Sequence, residues 1–329
     1  MRNIPYIAVA FLLLTFGTNA NAQLPGAKDA KKETPIKPDP NITFPEYIRS
    51  VNALTQTVLR DHEKDNRTEA YDTLFNTLHA ALMMPEADTC AFQYQLEGIS
   101  VQNAPDGEFS IFTWQLFADD STYIYGGLMR MKNGTIFRLT DKAREHRQPF
   151  NVRLRHTDWY GALYYRIMPF RHEGKDMYLL LGFNAHGFYT RRKLIDVLYF
   201  ENDKPRFGYN VLQMKDGRGK IQGVQRFIME YSASVTVSLN YSEADKMIVY
   251  DHLIYGAPIE GGGSTNVPDG SYCGLRLEKG KWIYVDKLHN DEINPNTTWD
   301  NPTAPMVEKP LFDRKNAKKT NIFGRERRR

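Results

Sequence analysis

DWYGALYYRIMPFRHEGKDMYLLLGFNAHGFYTRRKLIDVLYF, residues 158 to 200, holds three short runs dense in Tyr, Phe, Leu, Ile and Val, each bounded by Gly, Asn, Lys or charged residues. Runs of this composition and length, broken by such residues, predict β-strands at 162–170, 177–183 and 194–200. HEGK, between the first two, has the length and the glycine of a hairpin connection, so those two strands should pair antiparallel. Along the first run Leu163, Tyr165 and Ile167 alternate with Tyr164, Met168 and Phe170, which leaves neither face polar. The stretch therefore reads as sheet interior.

Working outward from it, the text on both sides is strand-like. Toward the N-terminus, runs fall at 90–96, 109–117, 122–131 and 135–139, the last two joined by Lys132-Asn133-Gly134, a strong hairpin signal. Toward the C-terminus they fall at 207–214, 224–231, 235–241, 247–255 and 272–277, with a last strand at 282–286 after the turn EKGK. About a dozen strands with no helices between them predict a mainly β body over 90–288: a large antiparallel sandwich, barrel or propeller-like meander. Before this body stands the one helical pattern. Tyr47, Val51, Leu54 and Val58 recur at helical spacing, and after HEKDNRT the spacing resumes with Tyr71, Leu74 or Phe75, Leu78 and Leu82. A helical hairpin over 45–85 follows, with Asn66 or Thr68 capping its second helix and Pro85 closing it.

The ends have other characters. Residues 1–22, MRNIPYIAVAFLLLTFGTNANA, combine a basic start, an apolar core too short for a comfortable span and a small-residue Ala20-Asn21-Ala22 site, the three parts of a secretory signal peptide. Residues 23–44 are rich in Pro and Lys and read as an extended linker. Residues 289–329 lose apolar periodicity and read as a disordered basic tail. From 309 to 329, nine Lys or Arg face only Asp313 and Glu326, a balance of +7. Since Arg2 leaves with the leader, the chain's net +4 conceals a body, 23–308, of about −4. The expected location is periplasmic or secreted. An anionic surface is an expected partner for Arg325, Arg327, Arg328 and Arg329, whose guanidinium forks suit phosphate and carboxylate. Export removes the usual opportunity for nucleic acid, and no membrane span is expected after the leader.

Chemical motifs are sparse. Cys90 and Cys273, the only cysteines, read equally as one disulfide joining the first strand to the last or as two buried thiols. No CxxC pair or close Cys/His cluster offers a metal site, and no cofactor motif is present. His156 with Asp158, His172 with Glu173 and Asp251 with His252 place an imidazole beside a carboxylate, as a general base requires. Yet there is no G-x-S-x-G, H-E-x-x-H or SxxK, and adjacent strand residues point to opposite faces, which argues against direct cooperation of Asp251 with His252. His156, Asp158 and His252 are the residues a hydrolase would use. The Gly261-Gly262-Gly263-Ser264 loop lacks the Lys and following helix of a phosphate loop. Trp159 and Tyr160 begin a strand beside His156 and Asp158, and are expected to form a binding rim for an envelope protein or a glycan.

The leader, the WYGALYY run at 159–165, the Lys279-Gly280-Lys281-Trp282 turn and the basic terminus together resemble uncharacterised exported proteins of the Bacteroidota. That resemblance brings no activity or catalytic residue with it. The terminus also lacks the apolar strand pattern of a type IX sorting domain and the final aromatic of an outer-membrane barrel. Two functions are expected from these features. The first is an exported, non-enzymatic binding or assembly protein of the bacterial cell envelope; the alternative is an envelope hydrolase acting on a glycan, ester or peptide.

Overall fold

The computed structural model describes residues 36–119, 122–256, 263 and 265–288, with the side chains of Cys90, Ala91 and Lys287 left aside. Two helices come first, α1 (Phe44–Arg60) and α2 (Lys64–Leu82). Thr43 and Glu46 form a capping box at the start of α1, the Glu46 carboxylate accepting the Thr43 N–H at 2.8 Å. The second helix begins at Lys64, ahead of both expected caps. The reason is Arg67, buried in its first turn, which donates to the carbonyls of Asp61, His62 and Phe117, each at 2.9 Å, and so ties the corner between the helices to the sheet beneath.

The first sheet has the order β1 (Ser100–Asn103), β2 (Phe109–Asp119), β3 (Thr122–Met131) and β4 (Ile136–Thr140), all antiparallel. Period-2 alternation gives it two apolar faces. Phe112, Trp114, Leu116 and Leu128 pack under Val51, Leu74, Phe75 and Leu78 of the helices. Phe109, Ile111, Tyr125, Met129 and Leu139 face the other way. The strand expected at 90–96 is a 3-10 turn, Cys90–Gln95. Its apparent alternation has no sheet behind it: Phe92 is buried, 5.4 Å from the Phe44 ring and 6.3 Å from Phe112, while Tyr94 is 94% exposed.

The quoted stretch builds the central sheet. Its strands are β5 (Leu154–Arg155), β6 (Leu163–His172), β7 (Lys175–Asn184), β8 (Thr190–Glu201) and β9 (Lys204–Phe207), in the order β5-β9-β8-β7-β6. Glu173-Gly174 turns β6 into β7 with φ of 49° and 79°, and Asn202-Asp203 turns β8 into β9 with 51° and 58°. Positive φ at both central residues is the type I′ geometry that matches strand twist. Both faces of this sheet are buried, as expected. One correction concerns β6: a bulge between Tyr164 and Arg166 resets the alternation, so Tyr164 and Ile167 face the first sheet while Tyr165, Met168 and Phe170 face away from it.

The third sheet comprises β10 (Leu212–Lys215), β11 (Ile221–Val224), β13 (Leu239–Ser242), β14 (Met247–Tyr255), β15 (Asn266–Glu278) and β16 (Lys281–Leu288); between them β12 (Phe227–Ser232) returns to the central sheet and pairs with β8. The order is β11-β10-β16-β15-β14-β13, antiparallel except for β10 with β16. The single strands expected at 207–214 and 224–231 are therefore each split. At 208–211 and 225–226 the chain changes sheet, through Gly208 at φ 89° and through Arg226, whose side chain turns into the core. Of the run 235–241 only Leu239–Ser242 lies near its expected strand. Leu179, Leu181, Ile195 and Val197 of the central sheet pack on Leu212, Met214, Ile248, Leu275 and Trp282. The fold is mainly β: helices, first sheet, central sheet and third sheet in layers, with no closed barrel among the described residues. No described helix is long and apolar enough to cross a membrane.

Candidate functional site

Trp159 and Tyr160, expected at a binding rim, lie in the core at 0% exposure. They belong to a polar network sealed between the first and central sheets. Trp159 donates from Nε1 to the Tyr164 hydroxyl at 2.8 Å, which in turn is 3.4 Å from Asp196 Oδ2. Asp196 accepts from Arg226 Nε at 2.8 Å and from the Val197 N–H at 2.9 Å, and Arg226 also donates to the Pro149 carbonyl at 2.7 Å. The Tyr160 hydroxyl accepts from Arg192 at 2.8 Å, with the Arg226 guanidinium 5.4 Å from its ring centre. The rings are buried because the chain from Asp158 to Ala162 runs inward beside Asp141, paired to it by a bridge from Asp141 to Trp159. Each ring's polar tip has a partner, Tyr164 for Trp159 and Arg192 for Tyr160, which is the condition for burying them.

His156 and Asp158 are likewise committed locally. His156 donates from Nδ1 to the Arg138 carbonyl at 3.0 Å and its ring lies 5.2 Å from Phe137. The Asp158 carboxylate pairs with Arg155 Nε at 2.7 Å on the surface. Neither reaches His252, so the three expected hydrolase residues do not converge. Arg325, Arg327, Arg328 and Arg329 lie outside the described residues, as does the Cys90 side chain and with it the choice between one disulfide and two thiols. Cys273 is 2% exposed, its Sγ 3.3 Å from the Tyr284 hydroxyl.

His252 lines a cleft of about 540 Å³ between β12 and strands β10 and β14–β16 of the third sheet. That volume is within the range of small-ligand sites, roughly 300–1,000 Å³. Three aromatic rings contribute to its wall, Phe227, Tyr250 and Tyr284, with Phe227 and Tyr250 5.3 Å apart. Polar groups stand among them. Lys215 Nζ pairs with Asp286 at 2.6 Å, and the other Asp286 oxygen accepts the Tyr284 hydroxyl at 2.9 Å. Glu230 holds Arg192 through two nitrogens at 2.6 and 2.9 Å.

Asp251 and His252 both line this cleft, against the expectation that strand neighbours diverge. The register explains it. Asp251 pairs with Tyr272 and Leu253 with Pro268, so β15 loops out Asp269-Gly270-Ser271 opposite His252 alone. Alternation is broken there: Tyr250 and Leu253, three residues apart, pack on the same core. The looped-out Asp269 meets His252 Nδ1 at 2.9 Å. Hydrogen bonds from the Ser271 hydroxyl and N–H, followed by that from His252, hold the Asp269 carboxyl well below the usual carboxylate range. Burial pushes the Asp251 carboxyl up, partly offset by the N–H that Ser238 donates to it at 2.5 Å.

Phe227, Glu230, Asp269 and Asp286 of this region carried no signal in the sequence, because three separate strands, β12, β15 and β16, bring them together. Among the described residues no group of three or more His, Cys, Asp or Glu is placed to hold a metal. No family model matches the chain, and neither a curated protein nor a solved structure is similar to it.

Proposed function

We propose that this chain is an exported, non-enzymatic binding protein of the bacterial cell envelope, periplasmic or secreted, whose ligand is a hydroxyl-rich glycan segment held in the cleft between β12 and the third sheet. The observation that carries the reading is the mixture lining the cleft: Phe227, Tyr250 and Tyr284 together with Lys215, Glu230, Asn266 and Asp286. Aromatic faces take the C–H faces of a sugar ring, while carboxylates, an amide and an ammonium supply acceptors and donors for its hydroxyls. The leader at 1–22 supports export. The basic terminus, through Arg325 and Arg327 to Arg329, tethers the protein to an anionic surface.

Calorimetric titration of the full chain with fragments of envelope glycans tests the cleft. Binding should weaken at least about tenfold in Phe227→Ala and in Tyr284→Ala. Absence of binding by every fragment, or unchanged affinity in both variants, would remove the reading.

One observation favours the hydrolase instead: the His252–Asp269 pair at 2.9 Å, an oriented imidazole inside a cleft. Release of product from a glycan, ester or peptide substrate, lost in His252→Gln, would put that reading in place of the first.

A further inference from the structure

The charged side chains along the cleft are committed at short range, with one exception. Lys215 and Asp286 neutralise each other, and Glu230 is matched by Arg192. Asp216 is spent on its own turn, one oxygen accepting the N–H groups of Arg218 and Lys220, both at 2.9 Å. His252 is held by Asp269. Asp251 differs from all of these. It is half-buried, it accepts one backbone N–H, from Ser238, and no Lys or Arg nitrogen among the described residues comes within ion-pair distance of it. Lys193 adds a longer-range attraction, and Asp269 a repulsion, to its charge.

A carboxylate in that position is tolerable while water reaches it. Once a ligand fills the cleft and excludes water, the ionised form must be met by a cation or take up a proton. A neutral sugar offers it hydroxyl hydrogen bonds but no countercharge, and an anion adds repulsion. An ammonium satisfies it, and Tyr250 and Phe227, which line the same cleft, are aromatic neighbours of the kind that attract that charge. We propose that the ligand of this cleft carries a protonated primary amine set against Asp251, which makes it an amino sugar with a free amine. This rests on the glycan reading above and narrows it.

The test compares two probes that differ only at the amine, a β-1,4-linked glucosamine tetramer and its fully N-acetylated counterpart, titrated into the full chain at pH 7. The glucosamine tetramer should bind at least about tenfold more tightly, a difference on the order of that expected for one matched, partly desolvated charge. In Asp251→Asn, where the amide oxygen still accepts the Ser238 N–H, the preference should shrink to about twofold or less. The wild-type comparison stands by itself if the variant folds poorly. Equal binding of both probes by the wild type, or a preference undiminished in a folded Asp251→Asn, would overturn the amine and leave the glycan cleft intact. Binding of neither probe would overturn both.

Discussion

Arg226 donates from Nε to Asp196 Oδ2 at 2.8 Å with both side chains at 0% exposure. The pair sits where the chain leaves β11 for β12, so it fixes the switch by which β12 joins the central sheet. Removing one partner strands a charge in the core. Arg226→Met or Asp196→Leu alone should each cost about 3–5 kcal/mol in denaturant unfolding, whereas the double replacement should recover much of that loss. Additive losses in the double-mutant cycle would show that the two act independently.

Gly126 is required by Trp114. A Cβ built at residue 126 would lie 2.4 Å from the indole, which is itself clamped by Phe75 at 4.6 Å and fully buried. The ring has nowhere to retreat because the helices lie over it. Gly126→Ala should therefore destabilise by about 1–3 kcal/mol as an overpacked core. Gly134→Ala, where an added Cβ meets nothing but φ is 84°, should cost less, about 1 kcal/mol. Melting temperatures of the two variants order the effects, and the reverse order would refute the packing argument.

Asp141 gives a pH dependence of definite sign. Burial pushes its carboxyl up to about 6, even though Oδ2 accepts the Tyr125 N–H and Oδ1 the Ala143 N–H, each at 2.9 Å. In the unfolded chain the group titrates near 4. Between those two values the folded state holds more proton than the unfolded one, so stability must fall as pH rises from about 4 to about 6 and level off above it. The full span is on the order of 3 kcal/mol. Asp141→Asn should lack this component, so the stability difference between wild type and variant should shift in favour of the variant across that window. Parallel profiles from pH 4 to 7 would show that the carboxyl titrates normally.

What could be read in advance follows the range of the interactions involved. The doubly apolar stretch 158–200 and the turns at Glu173-Gly174 and Lys279-Gly280 are local patterns, and they appear where their composition places them. The helical pair is local too, apart from the start of α2, which Arg67 moves by contacts reaching as far as Phe117. The bulges are another matter. Whether β15 loops out opposite His252 depends on the register of two strands, and nothing in DHL at 251–253 announces it. The cleft exists because β10 and β16, far apart in sequence, pair in parallel and because Arg226 diverts β12 to another sheet. The burial of Trp159 and Tyr160 likewise depends on partners at 192, 196 and 226.

The last prediction concerns the basic terminus. Nine cations against two anions over residues 309–329, on a body of opposite net charge, give the chain one strongly positive end. Juxtaposed with an anionic lipid surface, each Lys or Arg contributes about 1 kcal/mol at most, and the attraction decays over a Debye length, about 10 Å at 0.1 M salt. The full chain should therefore sediment with vesicles of phosphatidylglycerol at 0.05 M salt and be released by 0.5 M. A form ending at Glu308, whose remaining net charge is negative, should stay in solution at both. Retention of the shortened form, or binding by the full chain that ignores salt, would mean that the attraction is not carried by this segment's charge. Replacing Arg325, Arg327, Arg328 and Arg329 by Lys separates charge from geometry: a pure electrostatic tether keeps most of its binding, whereas paired recognition by the guanidinium fork loses it.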